Sequence, residues 1–241
     1  PKPSSAASDV YKRQVETIQN TGVPTIVILV NGRPLGVEWI ADHVAALIEA
    51  WEPGSFGGQA IADILYGKVN PSAKMPVTVP RNVGQIQSVY NHKLTSNWFP
   101  YAIGKNGPLF HFGYGLSYTT YQYTNLRLSK SEISTDETLT ASIDITNTGQ
   151  MDGDEIVQLY IGDDFSSVTR PLKELKGFKR ISLKKGEQKT VTFDITPHML
   201  SFYDMDMNFK VEKGTFKIMV GSSSRDEDPV SYTHLTLPTK A

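Results

Sequence analysis

The strongest constraint on the fold is a period-two hydrophobic pattern that fills the second half of the chain. Apolar and polar residues alternate in Ala141–Thr146, in Val191–Ile195 and in Phe216–Val220. Such alternation places one face of a strand in the core and the other in solvent. Turn-forming sequences separate the runs, as in Asn147–Gly153 and Glu212–Gly214. The pattern predicts strands near residues 121–129, 138–147, 155–162, 173–182, 189–195, 207–211 and 214–221.

These short strands predict an all-β sandwich. About seven alternating strands over roughly a hundred residues are typical of an immunoglobulin-like domain. The chain has no cysteine, and its three tryptophans (Trp39, Trp51 and Trp98) all precede residue 100. The core Cys and Trp residues of antibody domains are therefore absent from this half, and a fibronectin type III-like sandwich is expected.

The first half carries a different pattern, which is typical of an α/β fold. Val23–Val30 is a nearly continuous apolar run, as expected for a strand buried on both faces of a parallel sheet. Gly58–Tyr66 places apolar residues on one helical face, and Gly67 stands where a left-handed C-cap is expected. Val44–Trp51 is ambiguous from its residues, because its Ala and Leu content favours a helix.

Composition argues against several classes of function. Lys and Arg total 24 against 25 Asp and Glu, so no net charge attracts nucleic acid or an anionic membrane surface. The longest apolar stretch, Thr25–Val30, is far too short to cross a bilayer as a helix. Without cysteine, the chain cannot form a disulfide, a thiolate metal site or a cysteine nucleophile. We expect no cofactor, no nucleic-acid partner and no membrane association.

Three segments together carry a resemblance to a known family. They are Asn31–Leu35 (NGRPL), Trp51–Pro80 (WEPGSFGGQAIADILYGKVNPSAKMPVTVP) and Pro108–Thr119 (PLFHFGYGLSYT). Together they resemble the C-terminal part of the family-3 glycoside hydrolases, which include β-glucosidases and β-xylosidases. The resemblance covers nearly all of Val15–Ser224. It implies part of an α/β sandwich domain followed by a fibronectin type III-like domain, and a strand within Val44–Trp51.

The resemblance also implies a mechanism whose catalytic residues are not found in this sequence. Retaining glycosidases use a nucleophilic carboxylate and an acid/base carboxyl group ~5–5.5 Å apart. In the family, the nucleophilic Asp belongs to an upstream barrel domain, and the acid/base Glu lies shortly before the counterpart of Val15–Thr21. Neither motif matches here, so no catalytic residue and no metal ligand is assigned, and the substrate-binding residues are unknown. The implied partners are a β-linked oligosaccharide or glycoside substrate and the missing N-terminal barrel domain.

Both ends of the chain match translated adaptor DNA. One coding string for Asp9–Gln14 (DVYKRQ) is GATGTGTATAAGAGACAG, whose reverse complement, read from its third base, encodes Val230–His234 (VSYTH). We therefore expect residues 1–14 and 226–241 to be non-native tails without ordered structure. The other predicted boundaries are 15–100 for the α/β part, 101–116 for a linker and 117–225 for the fibronectin type III-like domain. The alternative is a natural N-terminal arm and a natural C-terminal strand.

Acidic residues of the α/β half are the local alternatives to a catalytic pair. The candidates are Glu38, Asp42, Glu49, Glu52 and Asp63. Without a partner of known geometry, solvated surface or loop positions explain each of them. The loop Pro53–Gly58 precedes a helix but lacks the Walker, dinucleotide-binding and nucleophile-elbow patterns. A tight turn before the helix is therefore the simpler interpretation.

Histidines and aromatic residues are the remaining candidates. No two of His43, His92, His111, His198 and His234 have the spacing of metal ligands on a helix. Aromatic residues concentrate at Tyr90, Trp98, Phe99, Tyr101, Phe110, Phe112, Tyr114 and Tyr118. Because aromatic rings bury well at interfaces, we expect this cluster to pack the sandwich against the α/β domain. Trp98 and Phe99 remain candidates for an outer sugar subsite, and Tyr90–Lys93 (YNHK) resembles the family without an assigned role.

The function predicted from the resemblance is that of a retaining, exo-acting β-glucosidase of which this chain is an inactive fragment. β-Xylosidase or α-L-arabinofuranosidase activity stays open, because pocket residues of the missing barrel decide the sugar. A non-catalytic carbohydrate-binding or scaffold module also stays open. For the parent protein we expect a periplasmic or extracellular location. An incomplete α/β sheet exposes an edge, so the sandwich half is expected to fold alone and the first half to aggregate.

Overall fold

The computed structural model describes residues 4–85, 88–94, 106–226 and 231–237. These residues divide into two compact units. The first unit contains the described residues of ranges 1–69, 77–88 and 101–110, and the second those of 70–76, 89–100 and 111–241. Short stretches far apart in the sequence therefore belong to the same unit.

The first unit has the α/β architecture that its sequence predicts. Its elements are α1 (Ser4–Gln19), β1 (Ile26–Leu29), α2 (Glu38–His43), β2 (Ala46–Glu49) and α3 (Gly57–Leu65). β1 and β2 form a parallel pair in register from Ile26↔Ala46 to Leu29↔Glu49. β2 therefore settles the ambiguity in Val44–Trp51 as a strand, because pairing with β1 overrides the local helix propensity.

Helix α3 and its flanking turns follow local sequence rules. Gly54, in the turn before the helix, has a φ of 66°. After the helix, Gly67 has a φ of 71°, and its N–H donates to the Ile64 carbonyl at 2.9 Å. This is the left-handed cap predicted for Gly67, a conformation that glycine adopts without steric penalty.

The expectation that β1 is buried on both faces is wrong. Ile26 is 49% exposed, and the other three residues of the strand are only partly buried. Within the described part of the chain, the sheet of the first unit has only the two strands β1 and β2. The apolar run therefore meets too few neighbours to be covered on both sides.

The second unit is a sandwich of two antiparallel sheets. Its elements are β3 (Tyr121–Leu128), β4 (Leu139–Asn147), β5 (Gly153–Asp163), β6 (Glu174–Leu183), β7 (Gln188–Ile195), α4 (Pro197–Leu200), β8 (Phe202–Tyr203), β9 (Phe209–Lys210), β10 (Gly214–Gly221) and β11 (Ser231–Leu237). One sheet has the order β3-β4-β7 and the other β6-β5-β10-β11. β8 and β9 form a separate short hairpin.

The strand predictions for this half are confirmed, with one change. β3 to β7 and β10 fall within a few residues of the predicted ranges. The strand predicted near 207–211 shrinks to Phe209–Lys210 and pairs with a strand that the pattern did not predict, Phe202–Tyr203. Two-residue strands are too short for an alternating pattern to reveal them.

The alternating apolar residues form one core shared by both sheets. Ile143 and Ile145 of β4, Val157 and Leu159 of β5, and Ile218 of β10 are all 0% exposed. Burying a side chain of this size stabilises a fold by about 1.5–3 kcal/mol relative to exposure. The inward half of the period-two pattern is therefore the main source of stability of the second unit.

The expectation that both tails lack ordered structure is wrong for the described residues. α1 begins at Ser4, and β11 pairs antiparallel with β10 from Gly214↔Leu237 to Val220↔Ser231. Leu235 and Leu237 are 0% and 1% exposed and belong to the sandwich core. The tail orders because its alternating leucines give it an inward face to bury. The adaptor origin of the tails and the domain boundaries stay predictions.

Candidate functional site

The candidate site of the first unit lies where the parallel strands β1 and β2 end. Parallel strands bring their carboxyl ends to the same edge of a sheet, and α/β folds bind ligands at that edge. β1 is followed by Asn31–Arg33, and β2 ends at Glu49, two residues before Trp51. The Asn31 N–H donates to the Trp51 carbonyl at 3.1 Å. The two loops therefore form one connected edge.

Glu49 fastens these loops through its carboxylate. Its Oε1 accepts hydrogen bonds from Asn31 Nδ2 and from the Trp51 N–H, both at 3.1 Å. Its Oε2 lies 3.3 Å from the same Asn31 amide, whose Oδ1 accepts from the Arg33 N–H at 3.0 Å. Hydrogen bonds to a charged carboxylate are stronger than neutral ones. Glu49 is therefore a positioning group occupied by structural contacts.

Trp51 has an unusual backbone at this edge. Its φ is 51°, in the left-handed region that bulky residues rarely adopt. Strain of this kind amounts to about 1–3 kcal/mol and persists where the surroundings fix the residue. Here Glu49 holds the Trp51 N–H and Asn31 holds its carbonyl. The strain places a partly exposed tryptophan beside the loop that carries Arg33.

Of the four other candidate carboxylates in the first unit, two have structural partners and two are exposed. Glu38 pairs with Arg81 Nη1 at 2.7 Å. Asp63 accepts from Gln59 Nε2 at 2.8 Å and lies 3.2 Å from Lys68 Nζ. Asp42 and Glu52 are exposed. These contacts support the interpretation of the five carboxylates as structural or surface residues.

Tyr90–Lys93 has a structural role that the sequence analysis missed. Tyr90 stacks on Phe112 at 4.3 Å between ring centroids and meets the edge of Tyr160 at 5.9 Å. Its hydroxyl oxygen accepts from the Leu175 N–H at 3.1 Å, and the His92 carbonyl accepts from the Leu172 N–H at 3.0 Å. This segment covers the outer face of the β5 sheet within the second unit. Trp98, Phe99 and Tyr101 lie outside the described residues.

Gln158 of β5 holds the segment around Gly113 against the same sheet through hydrogen bonds. Gln158, only 3% exposed, donates from Nε2 to the carbonyls of Gly113 at 3.1 Å and Ser222 at 2.6 Å. Gly113 has a φ of 79°, and a Cβ at that position would lie 2.1 Å from Gln158 Oε1. A larger residue there would need a left-handed backbone and would displace the Gln158 amide. Burial raises the pKa of the neighbouring Tyr160 hydroxyl, which donates to Gln158 Oε1 at 2.5 Å.

A buried ion pair joins the segment around Lys74 to the sandwich. Lys74 Nζ lies 3.2 Å from Glu155 Oε1, with the two side chains 12% and 3% exposed. Tyr123 donates its hydroxyl to the same oxygen at 2.7 Å, and Lys74 also donates to the Gly115 carbonyl at 3.2 Å. Burial raises the pKa of Glu155, while Lys74 and the Tyr123 hydrogen bond oppose the rise. Glu155 faces inward with Val157, two residues further along β5, but its spacing from Lys74 carries no sequence pattern.

The described residues contain neither a metal-binding cluster nor a membrane-spanning helix. No group of three or more His, Asp or Glu side chains there could hold a metal ion. None of the helices in that part of the chain combines the length and the apolar character needed to cross a membrane.

Comparison with known families assigns both halves of the sequence. Residues 4–118 match the glycosyl hydrolase family 3 C-terminal domain, and residues 155–224 match a fibronectin type III-like domain. The chain belongs to glycoside hydrolase family 3. This confirms the resemblance and the fold class predicted from the sequence. The first match includes residues 4–14, which the sequence analysis assigned to a tail.

Relatives within family 3 cover most of this chain. A β-xylosidase from Formosa agariphila is 45% identical over 222 residues, 91% of this chain and 31% of the relative. A periplasmic β-glucosidase from Salmonella typhimurium is 41% identical over 223 residues, 87% of this chain and 29% of the relative. The chain thus spans less than a third of the length of these relatives.

Solved β-glucosidase structures share the fold. A β-glucosidase from Erythrobacter marinus matches with a TM-score of 0.89 at 38% identity, covering 93% of this chain and 29% of that one. A β-glucosidase from Listeria innocua in complex with glucose matches with a TM-score of 0.87 at 34% identity, covering 94% of this chain and 32% of that one. The family 3 domain match contains the edge with Asn31, Glu49 and Trp51.

Proposed function

We propose that this chain is the C-terminal part of a retaining, exo-acting β-glucosidase that hydrolyses terminal non-reducing β-D-glucosyl residues. The observation that carries the proposal is the pairing of a family 3 C-terminal domain with a fibronectin type III-like domain. The similarity to β-glucosidases from Salmonella typhimurium and Listeria innocua supports the choice of sugar. The substrate is then a β-linked glucoside or oligosaccharide.

The chain by itself is proposed to be inactive. Retaining hydrolysis needs a nucleophilic carboxylate and an acid/base carboxyl group about 5–5.5 Å apart. In the first unit, Glu38, Glu49 and Asp63 are each held by structural partners, at 2.7 Å from Arg81, 3.1 Å from Asn31 and 2.8 Å from Gln59. The reacting carboxyl groups are assigned to an upstream part of a longer protein.

The edge formed by Asn31, Glu49 and Trp51 is proposed to face that upstream part. Binding energy is most effective when the groups that contact a substrate are fixed in advance. Glu49 fixes both loops of the edge through its hydrogen bonds to Asn31 and to the Trp51 N–H. Its role is to position the loops, while an upstream barrel supplies the sugar pocket.

Two assays test this proposal. The purified 241-residue chain is expected to release no aryl alcohol from an aryl β-glucoside. A longer protein expressed from the source DNA, including the region upstream of Val15, is expected to hydrolyse it with retention of configuration. Stoichiometric hydrolysis by the chain alone, or none by the longer protein, contradicts the proposal.

A β-xylosidase or α-L-arabinofuranosidase is the second candidate. It is favoured by the 45% identity to the β-xylosidase from Formosa agariphila, which exceeds the 41% to the Salmonella typhimurium β-glucosidase. The ratio of kcat/KM for aryl β-glucoside, aryl β-xyloside and aryl α-L-arabinofuranoside on the longer protein separates the candidates. A higher kcat/KM for either pentoside than for the glucoside would assign the longer protein to that activity instead of β-glucosidase.

A further inference from the structure

The β8–β9 hairpin of the second unit exposes aromatic residues that folding does not explain. Tyr203 pairs with Phe209, and Phe202 pairs with Lys210. Because side chains alternate across a strand, Phe202 and Tyr203 lie on opposite faces. Phe202 is 6% exposed, with the Arg170 guanidinium 4.5 Å from its ring centre. Tyr203 and Phe209 are 58% and 46% exposed. Phe202 thus anchors the hairpin, while the outer pair contributes little to the core.

Three rings form a continuous strip on the outer face. The Phe209 ring centre lies 5.0 Å from that of Tyr203 and 5.3 Å from that of His198, which is also exposed. We call His198, Tyr203 and Phe209 the ring strip. Contiguous exposed apolar groups with polar neighbours mark binding sites more often than scattered ones do.

The turn beside the ring strip is held rigidly. Asp204 Oδ1 accepts from the N–H groups of Asp206 and Asn208, both at 2.9 Å, and its Oδ2 lies 2.8 Å from Lys210 Nζ. The Lys210 ammonium and these N–H groups lower the pKa of Asp204 to about 2, so its carboxylate is charged at neutral pH. A surface fixed before binding loses less entropy when a ligand arrives.

We propose that the ring strip binds a β-linked oligosaccharide. Pyranose rings present C–H faces that pack on aromatic rings, and their hydroxyls pair with carboxylates, amides and ammonium groups. Asp206 and Asn208, both exposed in the turn of the same hairpin, supply a carboxylate and an amide. The choice of a saccharide rests on the proposed function.

The size of the strip favours a saccharide over a protein. A stable protein interface takes about 20–30 residues and roughly 800 Å² from each partner. The ring strip offers three rings, extended by the exposed Met205 and Met207 of the turn and bordered by charged residues. An oligosaccharide of a few units matches that surface.

Titration of the full 241-residue chain tests the proposal. Cellotetraose and xylotetraose are added at millimolar concentrations and followed by NMR. We expect shifts at Tyr203, Phe209 and His198, with at least tenfold weaker binding in Tyr203→Ala/Phe209→Ala. Phe178→Ala is the matched control, because Phe178 is 65% exposed on strand β6 of the same unit. It should bind as the unchanged chain does.

The possible outcomes separate this proposal from its rivals. Tyr203→Phe keeps the ring and should keep binding, so it tests stacking if the double variant unfolds in a circular-dichroism melt. No saccharide shift in the unchanged chain, or equal loss in Phe178→Ala, overturns the proposal. Self-association that disappears in Tyr203→Ala/Phe209→Ala also overturns it, in favour of a protein partner. Because binding is measured without hydrolysis, failure of the aryl-glucoside assay leaves this result intact.

Discussion

Glu49 joins the two loops at the edge of the first unit and supports the strained backbone of Trp51. Its carboxylate accepts from Asn31 Nδ2 and the Trp51 N–H, each at 3.1 Å. No feature of the run Ala46–Glu49 reveals these contacts in advance, because they join residues from two strands. The role of this residue depends on the parallel pairing that brings the loops together.

Removing this carboxylate should loosen the edge. In Glu49→Ala, the Asn31 amide and the Trp51 N–H lose their acceptor, and we expect the first unit to lose about 1–3 kcal/mol of its free energy of unfolding. Urea unfolding followed by tryptophan fluorescence measures this. Asp42→Ala, at an exposed position, should change stability by less than about 0.5 kcal/mol. Equal effects in both variants would contradict the role of Glu49.

Substitutions of Gly113 and Gly186 separate the effect of the close contact with Gln158 from the effect of a positive φ. Both have a positive φ, 79° and 75°, but a Cβ on Gly186 would meet nothing within 4 Å. Gly186→Ala should therefore lose only the penalty for a left-handed residue, about 1–2 kcal/mol. Gly113→Ala should lose more, because the new Cβ displaces the Gln158 amide. Thermal melts of the two variants compare them directly, and equal losses would show that the contact with Gln158 is not limiting.

A buried ion pair joins the segment around Lys74 to strand β5. Lys74 and Glu155 are 12% and 3% exposed, and Tyr123 and Gly115 complete their hydrogen bonds. Such a pair is weak evidence for net stability, yet losing one partner leaves the other charge buried. The pair therefore specifies where this segment docks on β5.

Lys74→Met should destabilise the second unit by about 3–5 kcal/mol at neutral pH, because Glu155 loses its counter-charge. Burial already raises the pKa of Glu155, so the folded state holds that proton more tightly than the unfolded chain. Stability then falls as pH rises from the unfolded value, about 4.3, through the folded one. The loss in Lys74→Met should therefore shrink in acid.

Urea unfolding of Lys74→Met at several pH values checks this sign. Lys189→Met is the control, since Lys189 is 45% exposed in its pair with Glu187. Exposed pairs of this kind contribute about 0–1 kcal/mol. A loss in Lys74→Met that grew toward low pH would contradict the assignment of a buried, protonatable Glu155.

At the scale of the whole molecule, the two compact units each combine segments that lie far apart in the sequence. The second compact unit includes residues 70–76 and part of 89–100, in addition to the sandwich. A piece beginning at residue 117 would lack Lys74 for Glu155 and Tyr90 for Tyr160. That the sandwich half folds alone stays a prediction, and these contacts indicate that its stable form includes the earlier segments.

β11 forms the edge of the second sheet of the sandwich. A substitution of one of its core residues tests whether the C-terminal tail is part of the folded structure. Leu235→Ala should lower the free energy of unfolding by about 2–5 kcal/mol, because Leu235 is 0% exposed in the core. His234→Ala, on the opposite face of the strand and exposed, serves as the control. Chemical denaturation measures both. No effect of Leu235→Ala would support a non-native tail without ordered structure.

Features that repeat along one stretch of chain could be predicted from the amino-acid pattern. Alternation in Ala141–Thr146 and Phe216–Val220 gave the sandwich strands, and the motifs NGRPL and PLFHFGYGLSYT pointed to glycoside hydrolase family 3. Glycines such as Gly67 marked a positive φ, because their conformation is a local property. These signals need no knowledge of distant residues.

Contacts between residues far apart in the sequence became visible in the folded structure. Three such contact groups join residues whose spacing carries no sequence pattern. They are the edge of Asn31, Glu49 and Trp51, the pair of Lys74 with Glu155, and the ring strip. The tertiary context also made Val44–Trp51 a strand and gave β11 a place beside β10. The physical reason is that burial and pairing depend on neighbours, which can outweigh local propensity by several kcal/mol.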